Sequence, residues 1–355
     1  MEKRNKKRLY VGLSGGVDSA VAAALLVDAG YDVTGVFIEG WHPPHTPCSW
    51  QEDRRDALRV SAHLGIPFKT LDAQEAYRIA VGEYLIASYR SGETPNPDVL
   101  CNREIKFGVF LSLAREEGAE GVATGHYARI VRNGEEIILQ RGIDREKDQS
   151  YFLSMLHTHQ LQHAFFPLGG LTKKEVRRIA REKKLPVADK PDSQGICFLG
   201  DISMDTFLSE YIPSNPGKVI NETGQEIGTH RGIAHYTEGA RHGFSLYTPS
   251  SVPLYILKKD IKENTLTVVP KEMLQGPSSL PLSSVILRKN IEPTEVISAV
   301  SRYRASGESV YCREENGNMV LTPVSGNFSE PIASGQVVAL YQGDNVLGGG
   351  IVVYS

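Results

Sequence analysis

From Leu9 onward the chain alternates short apolar runs with longer amphipathic ones. Leu9–Leu13 is apolar and runs into glycine-rich sequence, and Asp18–Ala29 follows with Val17, Val21 and Leu25 at helical spacing and Gly30 as a stop. Tyr31–Ile38 is β-branched and apolar, Ser49–Leu64 reads as a helix closed by Gly65, Ile66–Leu71 as a strand and Ala73–Tyr89 as a helix. After Thr94-Pro95-Asn96-Pro97 the pattern predicts a helix from about Cys101 to Glu117 and a strand over Gly121–Thr124. Repeated strand–helix units predict an α/β domain with a parallel sheet covered on both faces.

The pattern changes near Gly200. Helical periodicity fades, Gly, Pro, Ser and Thr become frequent, and short alternating runs appear at Pro253–Leu257, Leu266–Val269 and Val337–Tyr341. This predicts small β domains. Lys271–Ser284, with its prolines and a glycine, is the expected linker between two of them. The expected division is 1–200, a Rossmann-like α/β domain; 201–275, a central β-rich domain; and 276–355, a C-terminal β-barrel-like domain. No repeat at a solenoid period is present.

With 355 residues, 41% hydrophobic and 23% charged, the chain can bury a sizeable core. Its formal charge of −3 argues against a nucleic-acid coat protein and leaves room for a local basic surface. No apolar run approaches the roughly 18 residues of a membrane span. The basic start (Lys3, Arg4, Lys6, Lys7, Arg8) leads into Val-Gly-Leu-Ser-Gly-Gly-Val-Asp, which is not an apolar signal core. The expectation is a cytoplasmic protein without membrane contact. Cys48, Cys101, Cys197 and Cys312 have neither CxxC nor zinc spacing. A structural disulfide framework is not expected in this setting, so a cysteine that matters is a reactive one.

Three motifs carry candidate chemistry. Ser14-Gly15-Gly16-Val17-Asp18-Ser19 lies between a predicted strand and a predicted helix. Glycines let the backbone approach a polyanion, and a helix start offers unpaired N–H groups and the positive end of its dipole. Asp18 either helps hold a magnesium ion on pyrophosphate or caps the helix. The loop is neither a Walker A motif nor GxGxxG. It resembles the PP-loop of the ATP pyrophosphatase superfamily, whose members cleave ATP between the α and β phosphates.

The second motif is Asn96-Pro97-Asp98-Val99-Leu100-Cys101-Asn102, with Cys101 near an expected helix start, where thiolate is favoured. Asp98 reads as an N-cap or as a general acid/base. The third is Asp192-Ser193-Gln194-Gly195-Ile196-Cys197-Phe198. Taken alone, each cysteine reads first as a small buried residue and second as a reactive thiol.

Taken together with Ala123-Thr124-Gly125-His126-Tyr127-Ala128-Arg129 and Lys147-Asp148-Gln149-Ser150-Tyr151-Phe152-Leu153, the motifs resemble the bacterial tRNA-specific 2-thiouridylases of the MnmA type in order and spacing. The resemblance runs from about residue 8 to 353 and is most specific between Asn96 and Phe198. It implies that Gly12, Leu13, Ser14, Gly15, Gly16, Val17, Asp18 and Ser19 cradle ATP, with Ile38 and Gly125 lining the nucleotide pocket and magnesium accompanying the nucleotide. It also implies that Asn96, Pro97 and Asp98 surround the target base, that Cys197 carries a persulfide, and that Cys101 ends in a transient disulfide with Cys197. His126, Lys147, Asp148, Gln149, Arg302, Tyr303 and Gln336 would touch tRNA. A sulfur-relay protein or cysteine desulfurase would load Cys197, and no resident metal is expected. The implied reaction is thiolation of the wobble uridine: ATP adenylates the 2-carbonyl oxygen, sulfur displaces AMP, and Asp98 manages protons. Another adenylating ligase, or a non-catalytic ATP-responsive tRNA-binding protein, is the alternative.

Some positions depart from the family pattern. Ile38-Glu39-Gly40-Trp41 stands where Met-Lys-Asn-Trp is usual, Thr237-Glu238-Gly239-Ala240-Arg241 where Thr-Ile-Gly-Gln-Arg is usual, and Ser334-Gly335-Gln336 where Pro-Gly-Gln is usual. Cys48 and Cys312 read as structural or incidental. His157, His159 and His163 lack an acidic or thiol co-ligand, so they read as non-metal histidines. The basic stretch Lys173–Lys184 reads as a solvated amphipathic helix, with a phosphate-tracking surface as the second reading.

Overall fold

A computed structural model describes residues 6–43, 50–192, 203–315 and 317–354. Their packing forms two units. The first holds the chain up to Gly82, the stretch from Pro97 to Asp192, and Tyr341–Gly348; the second holds Glu83–Asn96, Ser203–Leu340 and the chain from Gly349.

The first unit starts with β1 (Arg8–Gly12), α1 (Val17–Asp28), β2 (Asp32–Glu39), α2 (Trp50–Leu64) and β3 (Phe68–Asp72), close to the expected bounds. The stretch expected as one helix over 73–89 is α3 (Gln74–Tyr77), a π-helical turn Arg78–Glu83 and α4 (Tyr84–Arg90), the last falling in the second unit. The wider turn brings Gly82 under the Trp41 ring, where an added Cβ would lie 2.6 Å from a ring carbon. The next helix begins at Pro97, earlier than expected: α5 (Pro97–Leu100), a π-helical segment Cys101–Val109 and α6 (Phe110–Glu116). Proline at a first helical position loses no needed N–H and has a preset φ, which explains the earlier start. Cys101 therefore sits one turn into the helix, at the α-to-π junction.

Then follow β4 (Gly121–Ala123), the hairpin β5 (Ala128–Asn133) and β6 (Glu136–Arg141), α7 (Thr158–Gln162), β7 (Ala164–Phe165) and α8 (Lys173–Glu182). The pattern reading assigns no element to the hairpin, because Arg129, Arg132 and Glu136 break its apolar alternation. In the first unit Asn345 pairs with Gln140 on β6. The parallel sheet has the order β3-β2-β1-β4-β7. α1 is buried well beyond one stripe: Val17, Ala20, Val21, Ala22, Ala23 and Ala24 are all enclosed, and their small side chains let sheet and flanking helices close in. α8 has a Thr172–Glu175 capping box and buries Val176 and Ala180.

The second unit adds α9 (Met204–Tyr211) and a sheet of β8 (Gly217–Ile220), β9 (Glu226–His230), β10 (Ser245–Leu246), β11 (Leu254–Asp260) and β12 (Thr265–Pro270). Val219, Tyr236, Ile256, Leu266 and Val268 form its core. The remaining strands are β13 (Leu280–Leu287), β14 (Ile297–Val300), β15 (Glu308–Glu315), β16 (Asn318–Pro323), β17 (Val337–Gln342) and β18 (Asn345–Val352). They follow one another in the order β13-β16-β15-β14-β17-β18, and a β13–β18 pairing closes them into a barrel. The expected linker over 271–284 is shorter than the pattern suggests, because β13 already begins at Leu280. Among the described residues no helix is long and apolar enough to cross a membrane.

Replacing Gly82 by alanine should destabilise the protein by about 1–3 kcal/mol, since the Trp41 ring has to move. Urea unfolding of the variant beside the wild type measures this.

Candidate active site

In the parallel sheet the chain steps outward from β1 to β2 and β3, then returns to the other side of β1 as β4. Ligands of such sheets bind beyond the carboxyl ends of the strands at this reversal. The Gly12–Ser19 segment leaves β1 there. Gly15 has φ +75°, and an added Cβ would collide with the backbone of Asp53. Gly16 occupies the N-cap position of α1 and offers no side-chain cap, so the first-turn N–H groups are left for an incoming anion. The Ser14 N–H donates to Ser19 Oγ at 3.2 Å, Ser19 Oγ donates to Gly16 O at 3.2 Å, and the two hydroxyls lie 3.3 Å apart. Ser14 itself is exposed.

Gly125 follows β4, across the reversal. A Cβ there would lie 2.7 Å from the Ser19 nitrogen, so glycine lets this turn rest directly on the start of α1. Ile38 is the penultimate residue of β2 and lies near Gly12, with its Cδ1 4.0 Å from where a Gly12 Cβ would be. His126 is 8% exposed, packed by Phe107 and Phe166, with Nδ1 2.6 Å from Thr124 Oγ1. Burial holds its imidazole well below the ordinary range, and Lys106 adds to this, so the ring is neutral.

A chain of alternating charges surrounds Asp18. Lys173 Nζ lies 2.7 and 2.8 Å from its two oxygens, and the Tyr127 hydroxyl donates to Oδ1 at 2.8 Å. The same ammonium is 2.8 Å from Asp192, which also takes Lys147 at 2.9 Å and Arg177 at 2.7 Å. Burial alone would raise the Asp192 pKa, but Lys173 and Lys147 outweigh it and hold the carboxyl well below its usual range. Lys173, Tyr127, Asp192 and Arg177 are contacts that motif reading did not assign. The first and last lie in the basic stretch, the others inside quoted motifs. On α8 and just beyond it most of the basic side chains have acidic partners: Arg178 with Glu182, Arg181 with Asp189, Lys183 with Asp28.

The second motif lies half-buried at Asn96, Pro97 and Asp98 and fully buried at Cys101. Asn102, 2% exposed, donates from Nδ2 to Phe152 O at 3.2 Å, linking the Cys101 helix to the segment after Lys147-Asp148-Gln149. That block is stitched into the unit. Asp148 accepts from Arg141 at 3.0 Å, from the Gly142 N–H at 3.0 Å and from Ser150, while Gln149 Oε1 accepts the Tyr127 N–H at 3.0 Å. Lys147 reaches Asp192. Cys48 and Cys197, and with the latter the expected disulfide, lie outside the described residues. Burial pushes the Cys312 thiol up to about 11, which suits a structural residue. His157 and His159 stack on each other at 5.4 Å, and His163 Nδ1 sits 2.8 Å from Glu120 O.

In the second unit Arg302 is exposed and lies against Gly239, whose φ is +83°, with Nη2 2.9 Å from where a Cβ would be. Its Nη1 is 3.5 Å from Glu330. Tyr303 is half-buried beside the Arg304 guanidinium, 5.1 Å from its ring centre. The Gln336 amide donates to Thr94 O at 2.8 Å.

A glycine-built anion cradle at the reversal of a parallel sheet defines a nucleotide-binding α/β domain of the PP-loop kind. Comparison with known proteins carries this further. Residues 7–201 match the family described as tRNA methyl transferase HUP domain, 205–270 the tRNA methyl transferase PRC-barrel domain, and 283–352 the Aminomethyltransferase beta-barrel domain. The tRNA-specific 2-thiouridylase MnmA of Akkermansia muciniphila is 43% identical over 354 residues, covering 97% of this chain and 98% of that protein. The protein of the same name from Listeria monocytogenes is 40% identical over 357 residues, covering 97% and 94%. The chain belongs to the tRNA-specific 2-thiouridylase family.

Gly125→Ala should weaken ATP binding by about tenfold or more, because its methyl group displaces the start of α1 from the anion; isothermal titration with ATP reads this directly. Asp192→Asn should unfold earlier than the wild type at neutral pH. A carboxyl whose folded pKa is depressed contributes fully above its unfolded pKa, near 4, and loses that contribution as pH falls toward the folded value, so the gap should narrow from about pH 4 downward. Urea midpoints across pH test the sign.

Proposed function

We propose that this chain is an ATP-dependent tRNA 2-thiouridylase that acts on the wobble uridine in the cytoplasm, through three domains spanning 1–200, 201–275 and 276–355. The observation that carries the reading is the uncapped, glycine-built start of α1 at the sheet reversal, in a chain whose relatives over 97% of its length are named 2-thiouridylases. The family description speaks of methyl transfer. A phosphate cradle favours an ATP-driven reaction instead, since methyl transfer has no use for ATP phosphates, and the relatives are named 2-thiouridylases.

A uridine 2-carbonyl is a weak electrophile with a poor leaving group. Gly12–Ser19 hold the ATP phosphates, and Ile38 and Gly125 bound the nucleotide. Asp18 is the loop carboxylate that would hold the magnesium accompanying ATP, an ion that would offset the charge of pyrophosphate. Lys173, already on Asp18, adds positive charge where pyrophosphate develops. Asn96, Pro97 and Asp98 surround the base. The uridine 2-oxygen attacks the α-phosphorus and expels pyrophosphate, while Asp98 takes the N3 proton. The terminal sulfur of a Cys197 persulfide then attacks C2, and AMP leaves with the original oxygen. Cys101 thiolate attacks Cys197 Sγ, which forms the Cys101–Cys197 disulfide and expels 2-thiouridine sulfur. An external thiol reduces the disulfide, and a cysteine desulfurase or sulfur-relay protein reloads Cys197. His126, Lys147, Asp148, Gln149, Arg302, Tyr303 and Gln336 make up the tRNA contacts. The protein pairings of Asp148, Gln149 and Gln336 favour a backbone-shaping contribution from those three. The target uridine leaves the anticodon stack to react.

With ATP, magnesium, unmodified tRNA and a cysteine desulfurase donor, the wild type should form 2-thiouridine, read by mass spectrometry of the nucleosides. Cys101→Ser and Cys197→Ser should each lose about 100-fold or more with that donor. Free sulfide should partly restore Cys197→Ser, because it bypasses the persulfide. Full activity of both serine variants with the desulfurase would remove thiol chemistry from the reaction and return the chain to a different adenylating ligase.

A further inference from the structure

The chain just upstream of Asn96 is pinned from three directions within the second unit. Gly92 has φ +79° and packs under Ile261. Lys259, on β11, donates from Nζ to Gly92 O at 2.5 Å and to Tyr236 O at 2.9 Å. Thr94 is 6% exposed. Its N–H donates to Ser334 O at 2.7 Å, its carbonyl accepts from Gln336 at 2.8 Å, and its hydroxyl is 3.3 Å from that of Thr237. Gly335, with φ +86°, comes so close that an added Cβ would lie 2.9 Å from the Glu93 Cβ.

Lys259 stands apart from these ties. Burial pushes its pKa down, and the nearby Glu238 and Glu93 push it back up. Enclosing an ammonium is unfavourable unless strong acceptors replace water, and two backbone carbonyls do so here. From Gly92 the path to the base-facing motif is short and stiff. Pro95 and Pro97 fix their own φ and restrict Thr94 and Asn96 before them. A displacement at Thr94 therefore reaches Asn96 with little damping, and the Lys259 tie at Gly92 lies only two residues before Thr94.

We infer that Lys259 is a positioning residue for uridine thiolation: by tying Gly92 to Tyr236 it fixes where the Asn96-Pro97-Asp98 turn meets the target base. The inference rests on the functional reading above, and it assigns Lys259 no contact with ATP, tRNA or the reacting sulfur.

The test compares Lys259→Met, which keeps the apolar stem, with Lys259→Arg, which keeps donors. Four quantities are measured on the full chain: single-turnover thiolation at saturating tRNA, tRNA affinity, thermal stability, and amide hydrogen exchange at Thr94. Lys259→Met should slow the saturated rate about tenfold or more with tRNA affinity held within about twofold, as expected when geometry rather than binding is lost. Thr94 exchange should rise, and Lys259→Arg should recover most of both. An unchanged rate in Lys259→Met overturns the inference. So does a rate loss matched by equal losses of tRNA affinity and thermal stability, which marks a merely structural lysine, and so does an arginine variant no better than methionine. A wild type that makes no 2-thiouridine contradicts the functional reading instead; the tie itself then stands or falls on whether Thr94 exchange rises in Lys259→Met.

Discussion

Everything at the catalytic end of the first unit depends on backbone meeting backbone without a side chain between. Gly125 rests against the Ser19 nitrogen, and Gly15 turns at positive φ against the Asp53 backbone. A Cβ at either place would push the start of α1 away from the sheet reversal. With both glycines in place, the first turn of α1 keeps its N–H groups uncapped and aimed at the crevice where β1 and β4 diverge. The alanine-rich burial of α1 serves the same end, because a helix packed by small residues has little freedom to drift from its strand.

Charge is arranged around that cradle in series. Asp18 on the loop, Lys173 at the head of α8, and Asp192 with Lys147 and Arg177 form one connected set. Such a set keeps Lys173 paired beside the uncapped start of α1, which lowers the penalty for enclosing its ammonium. In the second unit the same logic appears with carbonyls in place of carboxylates: Lys259 is enclosed because Gly92 and Tyr236 accept from it.

Four of the five parallel strands were readable from sequence as short strand-like runs, because the first two helices between them keep their apolar spacing and stop at Gly30 and Gly65; β7, only two residues long, carries no such pattern. The PP-loop was readable because it sits between two such elements. The hairpin at 128–141 was hidden by its arginines and glutamate: Arg129 pairs with Asp344, Arg141 with Asp148, Arg132 donates to the Ala164 carbonyl, and Glu136 is exposed. The π-helical turns were hidden because they come from packing, such as Trp41 over Gly82, rather than from local propensity. Motif reading located Cys101 but put it at a helix start; Pro97 begins the helix a turn earlier. Lys173 and Lys259 were invisible as partners, since each acts on residues far away in sequence.

The central claim is that ATP activates the base itself rather than the sulfur donor. Transcript tRNA carrying oxygen-18 at the wobble uridine 2-position decides it. After one turnover with ATP and a loaded sulfur donor, the account predicts AMP carrying that oxygen-18 and 2-thiouridine carrying none. Unlabelled AMP alongside 2-thiouridine would contradict adenylation of the uridine oxygen.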